Sequence, residues 1–361
     1  MANGMKIIYW GPITPEGKPN TGGFESANRK NINALRRRGV DVDEYPYPVV
    51  PRKFGPAGKL VYARLLFTPF RWLRYRGRKD VVLHSAAPNG PFTMITLWGQ
   101  RMARMLGIKT LTDMRAGTLP YLWATRGALF RRPLRSLLLH SDAVTAEGRG
   151  YIDFMRETVG LKKDAVYFPN TAEMSVEEAA TKKKIPAADG KINVFYFGRI
   201  TRNKGIDVIL EARKFLPSDY KIYLAGPIAP DVDARALDSE GTEYLGLLTP
   251  QELKEEMKRM HFFIFPTRHI GEGQSNSLIE AMSNGLVPVT SRQGFCSDVV
   301  ADCGVTFPAE ATGRDYAGAI MKIAAEDYAE RSERSRKHIA ENHNIEKETD
   351  KLIKIYAGLC G

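Results

Sequence analysis

Short apolar runs alternate with longer stretches of mixed polarity along the chain, a rhythm that predicts βα units rather than a bundle or a sandwich. In the first half, buried strands are predicted at 6–10 (KIIYW), 40–45 (VDVDEY), 80–84 (DVVLH), 109–113 (KTLTD), 143–146 (AVTA) and 165–168 (AVYF). One helix is predicted to end at Arg36-Arg37-Arg38 before Gly39, and another spans 93–106. The alternation then breaks in a polar stretch over 173–190 that contains Lys182-Lys183-Lys184 and reads as a linker. It restarts with strands at 192–198, 221–225, 243–246, 262–265 and 287–290, and helices at 205–215 and 250–260. A helix-rich segment follows from Gly313 onward. Such alternation predicts parallel sheets covered by helices, an α/β protein of two Rossmann-like halves without a detectable repeat.

The densest candidate chemistry follows the run Phe262-Phe263-Ile264-Phe265. Pro266 ends that strand, and a loop carries Glu272-Gly273 to its carboxyl side. Ser275 or Asn276 is the N-cap of the next helix, whose apolar positions are Leu278, Ile279 and Met282 and whose stop is Gly285. In open α/β sheets ligands sit at the carboxyl ends of the strands, which makes this stretch the first place to look. Glu272 and Glu280 lie before and inside the helix, so their carboxylates address two ends of one ligand, or else are a surface acid and a dipole-favoured helix acid. Thr21-Gly22-Gly23 precedes a helix and is either a phosphate-approaching loop or a plain turn. His84, at a strand end, is an acid–base candidate or a structural histidine. Asp113 and Arg115 either pair with each other or bind an acceptor.

The motif E-G-x-x-N-S-L-I-E-A-M-x-x-G-x-x-P-V from Glu272, with its E-x7-E spacing, resembles the donor-site signature of retaining glycosyltransferase family 4. Upstream, Phe197-Gly198-Arg199-Ile200-Thr201-Arg202-Asn203-Lys204-Gly205 is similar to that family's diphosphate-binding G-R-x-x-x-x-K-G. The resemblance is close over 191–308 and loose in the first half. It implies the GT-B fold, two Rossmann-like domains facing across a cleft. The expected divisions are an acceptor domain at 1–172, the linker at 173–190, a donor domain at 191–340, and a C-terminal helix at 341–361 packing back on the first domain. The implied reaction moves a sugar from a nucleoside-diphosphate donor to a hydroxyl with retention of configuration.

Roles follow from the same resemblance. Arg199 and Lys204 stabilise the diphosphate, Glu280 accepts the ribose hydroxyls, and Glu272 contacts the transferred sugar. Gly198, Gly226, Gly246, Gly273, Gln274, Ser275, Asn276 and Ser277 line the donor, with Gly22 and Gly23 toward its phosphates. His84 is the further catalytic candidate, and Asp113 and Arg115 face the acceptor. Physically, a departing diphosphate gains negative charge, which fixed cations and amides stabilise most. Arginine supplies a bidentate fork and lysine a compact charge. No covalent nucleophile stands out, which suits a front-face mechanism in which the departing phosphate takes the acceptor's proton, as proposed for the family. No metal and no cofactor are expected, because Arg199 and Lys204 supply the positive charge. The two D-x-D matches, at 41–43 and 231–233, are read as structural. The chain departs from the family form E-G-F-G-x-P in having Glu272-Gly273-Gln274-Ser275-Asn276-Ser277, and two extra residues separate Pro266 from Glu272. Pro169-Asn170-Thr171 stands where the family has P-N-G, and His84 is off the D-x-x-H-x-H spacing. The sugar, which this loop surrounds, is left open.

Charge adds a partner. Residues 1–188 hold 31 Lys/Arg against 15 Asp/Glu, so the first half owns the chain's net +12 and expects a polyanionic partner. The stretch 52–79 concentrates nine Lys/Arg without an acid, interleaved with Phe67, Phe70, Trp72 and Leu73. It reads as an amphipathic segment for anionic lipid, or as a solvated face with its aromatics turned inward. Pro69 breaks any helix there. A lipid-linked or glycan acceptor at an anionic membrane is the favoured partner, with no nucleic acid. The alternatives are a GT-B epimerase and a non-catalytic scaffold or nucleic-acid-binding protein. Three cysteines without C-x-x-C point to a reducing cytosol and away from structural zinc. With no bilayer-length apolar run and no signal-peptide core at MANGMKIIYWGP, the expectation is a cytoplasmic protein, peripheral on the inner membrane face.

Overall fold

The computed structural model describes residues 4–14, 23–47, 63–87, 92–115, 117–172 and 190–361. The chain divides into two compact units, Met1–Pro169 with Ile345–Gly361, and Asn170–Asn344. Of the expected linker at 173–190, only Gly190 lies within the described residues.

In the first unit the strands are β1 (Lys6–Gly11), β2 (Asp41–Pro46), β3 (Val81–Ala87), β4 (Lys109–Met114), β5 (Ala143–Ala146) and β6 (Ala165–Tyr167). They form one parallel sheet in the order β2-β1-β3-β4-β5-β6. Side chains alternate across a strand, so β1 serves two cores. Ile8 and Trp10 face one way, with Trp72, Tyr75 and Ile95. Ile7 and Tyr9 face the other, with Ile32 and Leu35 from the helix Gly23–Arg37 and Leu352 and Tyr356 from the last helix, Ile345–Cys360. Each fully buried side chain of this size contributes on the order of 1.5–3 kcal/mol, so the last helix is a stable part of this unit. Arg38 also pairs with its Glu346 and Asp350.

Three helices here escape the sequence pattern: Leu119–Thr125, Ala128–His140 and Arg149–Phe154. The second contains Pro133, and its apolar positions are diluted by arginines. Pro69 falls where helical residues 63–67 give way to the 3-10 segment Thr68–Tyr75, as expected of a residue lacking an N–H.

The second unit repeats the plan with β7 (Ile192–Phe197), β8 (Tyr220–Ala225), β9 (Thr242–Tyr244), β10 (Phe262–Phe265), β11 (Val287–Ser291) and β12 (Val305–Phe307), in the order β12-β11-β10-β7-β8-β9. β10 is entirely buried, as its unbroken apolar run requires of a central parallel strand. The two D-x-D sites are occupied by local partners. Lys6 pairs with Asp41 and Asp43, Asp231 accepts the Arg202 amide, and Asp233 caps the turn Ala234–Leu237.

Candidate active site

The second unit gathers the sequence candidates at the carboxyl ends of β7, β8, β9 and β10. Gly198, Gly226 and Gly246 follow three neighbouring strands, joined by Gly198 N–H to the Ala225 carbonyl (3.0 Å) and Gly226 N–H to the Gly246 carbonyl (2.8 Å). At Gly226, φ is +129°, and a Cβ would lie 2.0 Å from the Gly198 carbonyl oxygen. Only glycine permits this approach, which leaves the strand tips bare of side chains.

From Gly198 the chain passes Arg199, exposed to solvent, whose carbonyl accepts the Tyr196 hydroxyl at 2.7 Å. Thr201 then caps a single 3-10 turn, Arg202–Lys204, by accepting the Lys204 amide at 3.1 Å. Gly205 follows with φ +81°, and its missing Cβ would stand 2.2 Å from the Pro266 carbonyl oxygen. The β7 tip is thereby pressed against the end of β10, and the helix Ile206–Arg213 starts there.

That closeness unites two motifs separated by 68 residues: the Lys204 ammonium forms an ion pair with Glu272 Oε2. Thr267, fully buried, donates its hydroxyl to the same oxygen at 2.9 Å. Thr267 is itself fixed, its carbonyl taking the Ser291 hydroxyl at 2.6 Å and its Oγ1 the His269 amide at 3.2 Å. Lys204 also sits 5.2 Å from the centre of the Phe265 ring, a cation–π contact. Burial pushes the His269 imidazole below its ordinary pKa, and the Lys204 and Arg199 charges add to that against the pull of Glu272.

The loop after Glu272 is clamped. Gln274 is buried, its Oε1 accepting the Asn170 amide at 2.8 Å and its carbonyl accepting Asn170 Nδ2 at 2.7 Å. Ser275 is the N-cap of the helix Asn276–Ser283, accepting the Leu278 amide, and its hydroxyl meets that of Ser277 at 3.0 Å. Leu278, Ile279, Ala281 and Met282 bury the core side of this helix. Asn276, Ser277 and Glu280 share the half-exposed side, at i, i+3 and i+4 spacings. Gly273 is half-buried, its carbonyl accepting the Phe295 amide at 3.4 Å.

In the first unit Gly22 lies outside the described residues, and Gly23 opens the helix Gly23–Arg37. His84, Asp113 and Arg115 are buried together in one cluster. Arg115 Nε donates to Asp113 Oδ2, Thr145 donates to Asp113 Oδ1 at 2.8 Å, and the Arg115 guanidinium lies 4.7 Å over the Phe168 ring. His84, 0% exposed, stacks on Tyr9 at 4.2 Å. Its Nδ1 is 2.6 Å from the Tyr356 hydroxyl and its Nε2 is 3.6 Å from Asp113. Burial pushes His84 below its ordinary pKa against the pull of Asp113. Burial also acts to raise Asp113, but Arg115 and His84 outweigh it and hold the carboxyl down at about 2. The pairing of Asp113 with Arg115 is the first of the two readings offered by the sequence.

Residues 191–326 match the family described as Glycosyl transferases group 1, and the two-sheet architecture is that of the GT-B class. Over those residues the chain carries a domain of that glycosyltransferase family. Sucrose-phosphate synthase from Thermosynechococcus elongatus shares the fold with a TM-score of 0.73 at 16% identity, covering 98% of this chain and 99% of that one. Anabaena HepE in complex with UDP gives 0.71 at 13% identity, covering 98% and 100%. WaaG, a glycosyltransferase involved in lipopolysaccharide biosynthesis, gives 0.67 at 13%, also covering 98% and 100%. No curated protein sequence matches the chain.

Thr267 and Asn170 act here without having been singled out as site residues. The signal for Thr267 is its place directly after Pro266 at a strand end, and for Asn170 its place in Pro169-Asn170-Thr171.

Proposed function

We propose that the protein is a retaining glycosyltransferase that uses a nucleoside-diphosphate sugar and glycosylates a hydroxyl of a lipid-linked or membrane-associated glycan. The observation that carries this is the convergence of Lys204 and Glu272 at the tips of adjacent strands, beside a capped helix and a row of bare glycine tips. Such a place offers cations and backbone amides to a diphosphate without side-chain obstruction. Glu272 holds Lys204, so a diphosphate entering here takes over that ammonium and frees the carboxylate for the sugar. Arg199, exposed nearby, supplies the bidentate contact, and Glu280 meets the ribose hydroxyls. The departing phosphate takes the acceptor proton, and no metal is required. HepE, a structural relative, was solved with UDP, with UDP and glucose, and with UDP-glucose, which makes UDP the first nucleotide to try.

The acceptor is met at an anionic membrane. Within 64–79, Trp72 and Tyr75 turn inward, while Phe67, Phe70 and Leu73 stay exposed beside Arg71, Arg74 and Arg76. No helix among the described residues is long and apolar enough to cross a membrane, so such an encounter is peripheral.

A thermal-shift screen with UDP, GDP, ADP and their sugar conjugates tests the donor, since a ligand that binds only the native state raises Tm. One nucleotide should stabilise the wild type and not the Arg199→Ala, Lys204→Ala double variant. No shift with any of them would refute the donor assignment.

A further inference from the structure

We infer that the first unit docks on an anionic bilayer through an entire helical layer, in which the helix Ala128–His140 makes a second contact besides the segment Thr68–Tyr75. This rests on the membrane encounter proposed above and extends it to residues outside 52–79.

The layer is continuous. Thr68–Tyr75 and the helix Phe92–Met105 cover the same sheet face, through Trp72 and Ile95. Trp98 donates to the Leu66 carbonyl at 3.0 Å, tying these two together. On the other side Gln100 donates to the Leu137 carbonyl and to Ser141 Oγ, both at 2.7 Å, which fixes Ala128–His140 alongside.

Its charge is one-sided. The segments 63–75, 92–105 and 128–140 carry seven exposed arginines and no acid, and of these Arg74 pairs with Asp43 of β2. The opposite face of the same sheet is different, since the helix Ile345–Cys360 brings Glu346 and Asp350 to Arg38.

Apolar exposure is concentrated in the same part of the chain. Eight of the ten exposed large apolar side chains among the described residues fall between Leu66 and Leu129 in sequence. Phe67 is 68% exposed, Met105 77% and Leu129 94%. Leu129 sits between the exposed Arg126 and Arg132, with Arg135 a turn further on. A nucleic-acid backbone offers cations a partner but gives these side chains nothing to enter. The head-group boundary of an anionic bilayer does both, taking apolar side chains into the acyl edge and arginine heads among the phosphates.

Flotation with phosphatidylcholine vesicles, with and without phosphatidylglycerol, tests this at low and high salt. The wild type should float only with the anionic vesicles and be released by salt. Leu129→Ser with Arg132→Glu and Arg135→Glu should lower partition by on the order of 30-fold or more, at about 1 kcal/mol per basic contact. Nucleotide-induced thermal shifts should be unchanged, which shows that the variant is folded. Wild-type binding by that variant overturns the second contact and leaves the encounter through 64–79 standing. Failure of the wild type to float overturns both. Tight binding of an RNA oligonucleotide with no flotation would reassign the face to nucleic acid.

Discussion

The Lys204–Glu272 pair makes a prediction about stability and affinity together. Glu272 is only 7% exposed, so replacing Lys204 by alanine leaves a nearly buried carboxylate with Thr267 as its one side-chain donor among the described residues. Breaking a fully buried pair by removing one partner costs about 3–5 kcal/mol. The Lys204 side chain keeps 22% of its exposure, so water can partly replace it, and about 2 kcal/mol is the better figure here. Glu272→Gln removes the charge while its amide oxygen still accepts from Thr267. The double variant should therefore lose less than the sum of the two, with a coupling of about 1–2 kcal/mol. All four tryptophans, at 10, 72, 98 and 123, belong to the first unit, so fluorescence would not see this change. Hydrogen exchange of the β7 and β10 amides, read by mass spectrometry in a denaturant series, would. On the functional side, Glu272→Gln frees Lys204 and should bind the nucleoside diphosphate at least as tightly as wild type while turnover falls. Additive stability losses within about 0.3 kcal/mol, or affinity falling in step with turnover, would refute the picture of Glu272 as the resting partner of a phosphate-binding lysine.

Three further outcomes are expected. Arg199→Ala should lower kcat/KM by roughly 100-fold or more, the scale of losing one preorganised donor, and a folded variant within a few-fold of wild type would sink the diphosphate role. Glu280→Ala should weaken nucleoside-diphosphate binding by about 10-fold or more in calorimetry, since a ribose hydroxyl loses a charged acceptor, and unchanged affinity would remove the ribose role. His343 is buried, its Nδ1–H donating to the Asn170 carbonyl at 2.8 Å, and burial pushes its pKa down to about 4. Its depressed folded value means the unfolded chain binds the extra proton. Its contribution is thus complete above the unfolded pKa of about 6.5 and declines by about 3 kcal/mol as pH falls to about 4. Denaturation of the second unit followed by exchange at pH 7 and pH 4.5 measures this, and His343→Gln showing the same pH dependence would exclude His343 as its source.

Local pattern was enough for much of this protein. Strand and helix order came from apolar runs and their spacing, and the site in the second unit lies at strand ends, where a run stops and glycine follows. Arg199, Lys204, Glu272 and Glu280 were singled out by motifs that resemble those of a known family, and the fold brings Lys204 and Glu272 of the two motifs into contact. What tertiary structure alone decided was burial and pairing. His84 stands at a strand end like a site residue, yet its partner is Tyr356, 272 residues later, and the helix bearing that tyrosine closes over it. Asp113 and Arg115 satisfy each other because β5 brings Thr145 and the chain after β6 brings Phe168 to seal them. The basic segment offered two readings of its aromatics, and the sheet divided them, taking Trp72 and Tyr75 into the core and leaving Phe67 and Phe70 outside. Spacing along a chain reports which residues can share a face. Only packing against distant segments determines whether that face meets water, and for the helix Ala128–His140, whose arginines hide its apolar side, it determined that there was a helix to find.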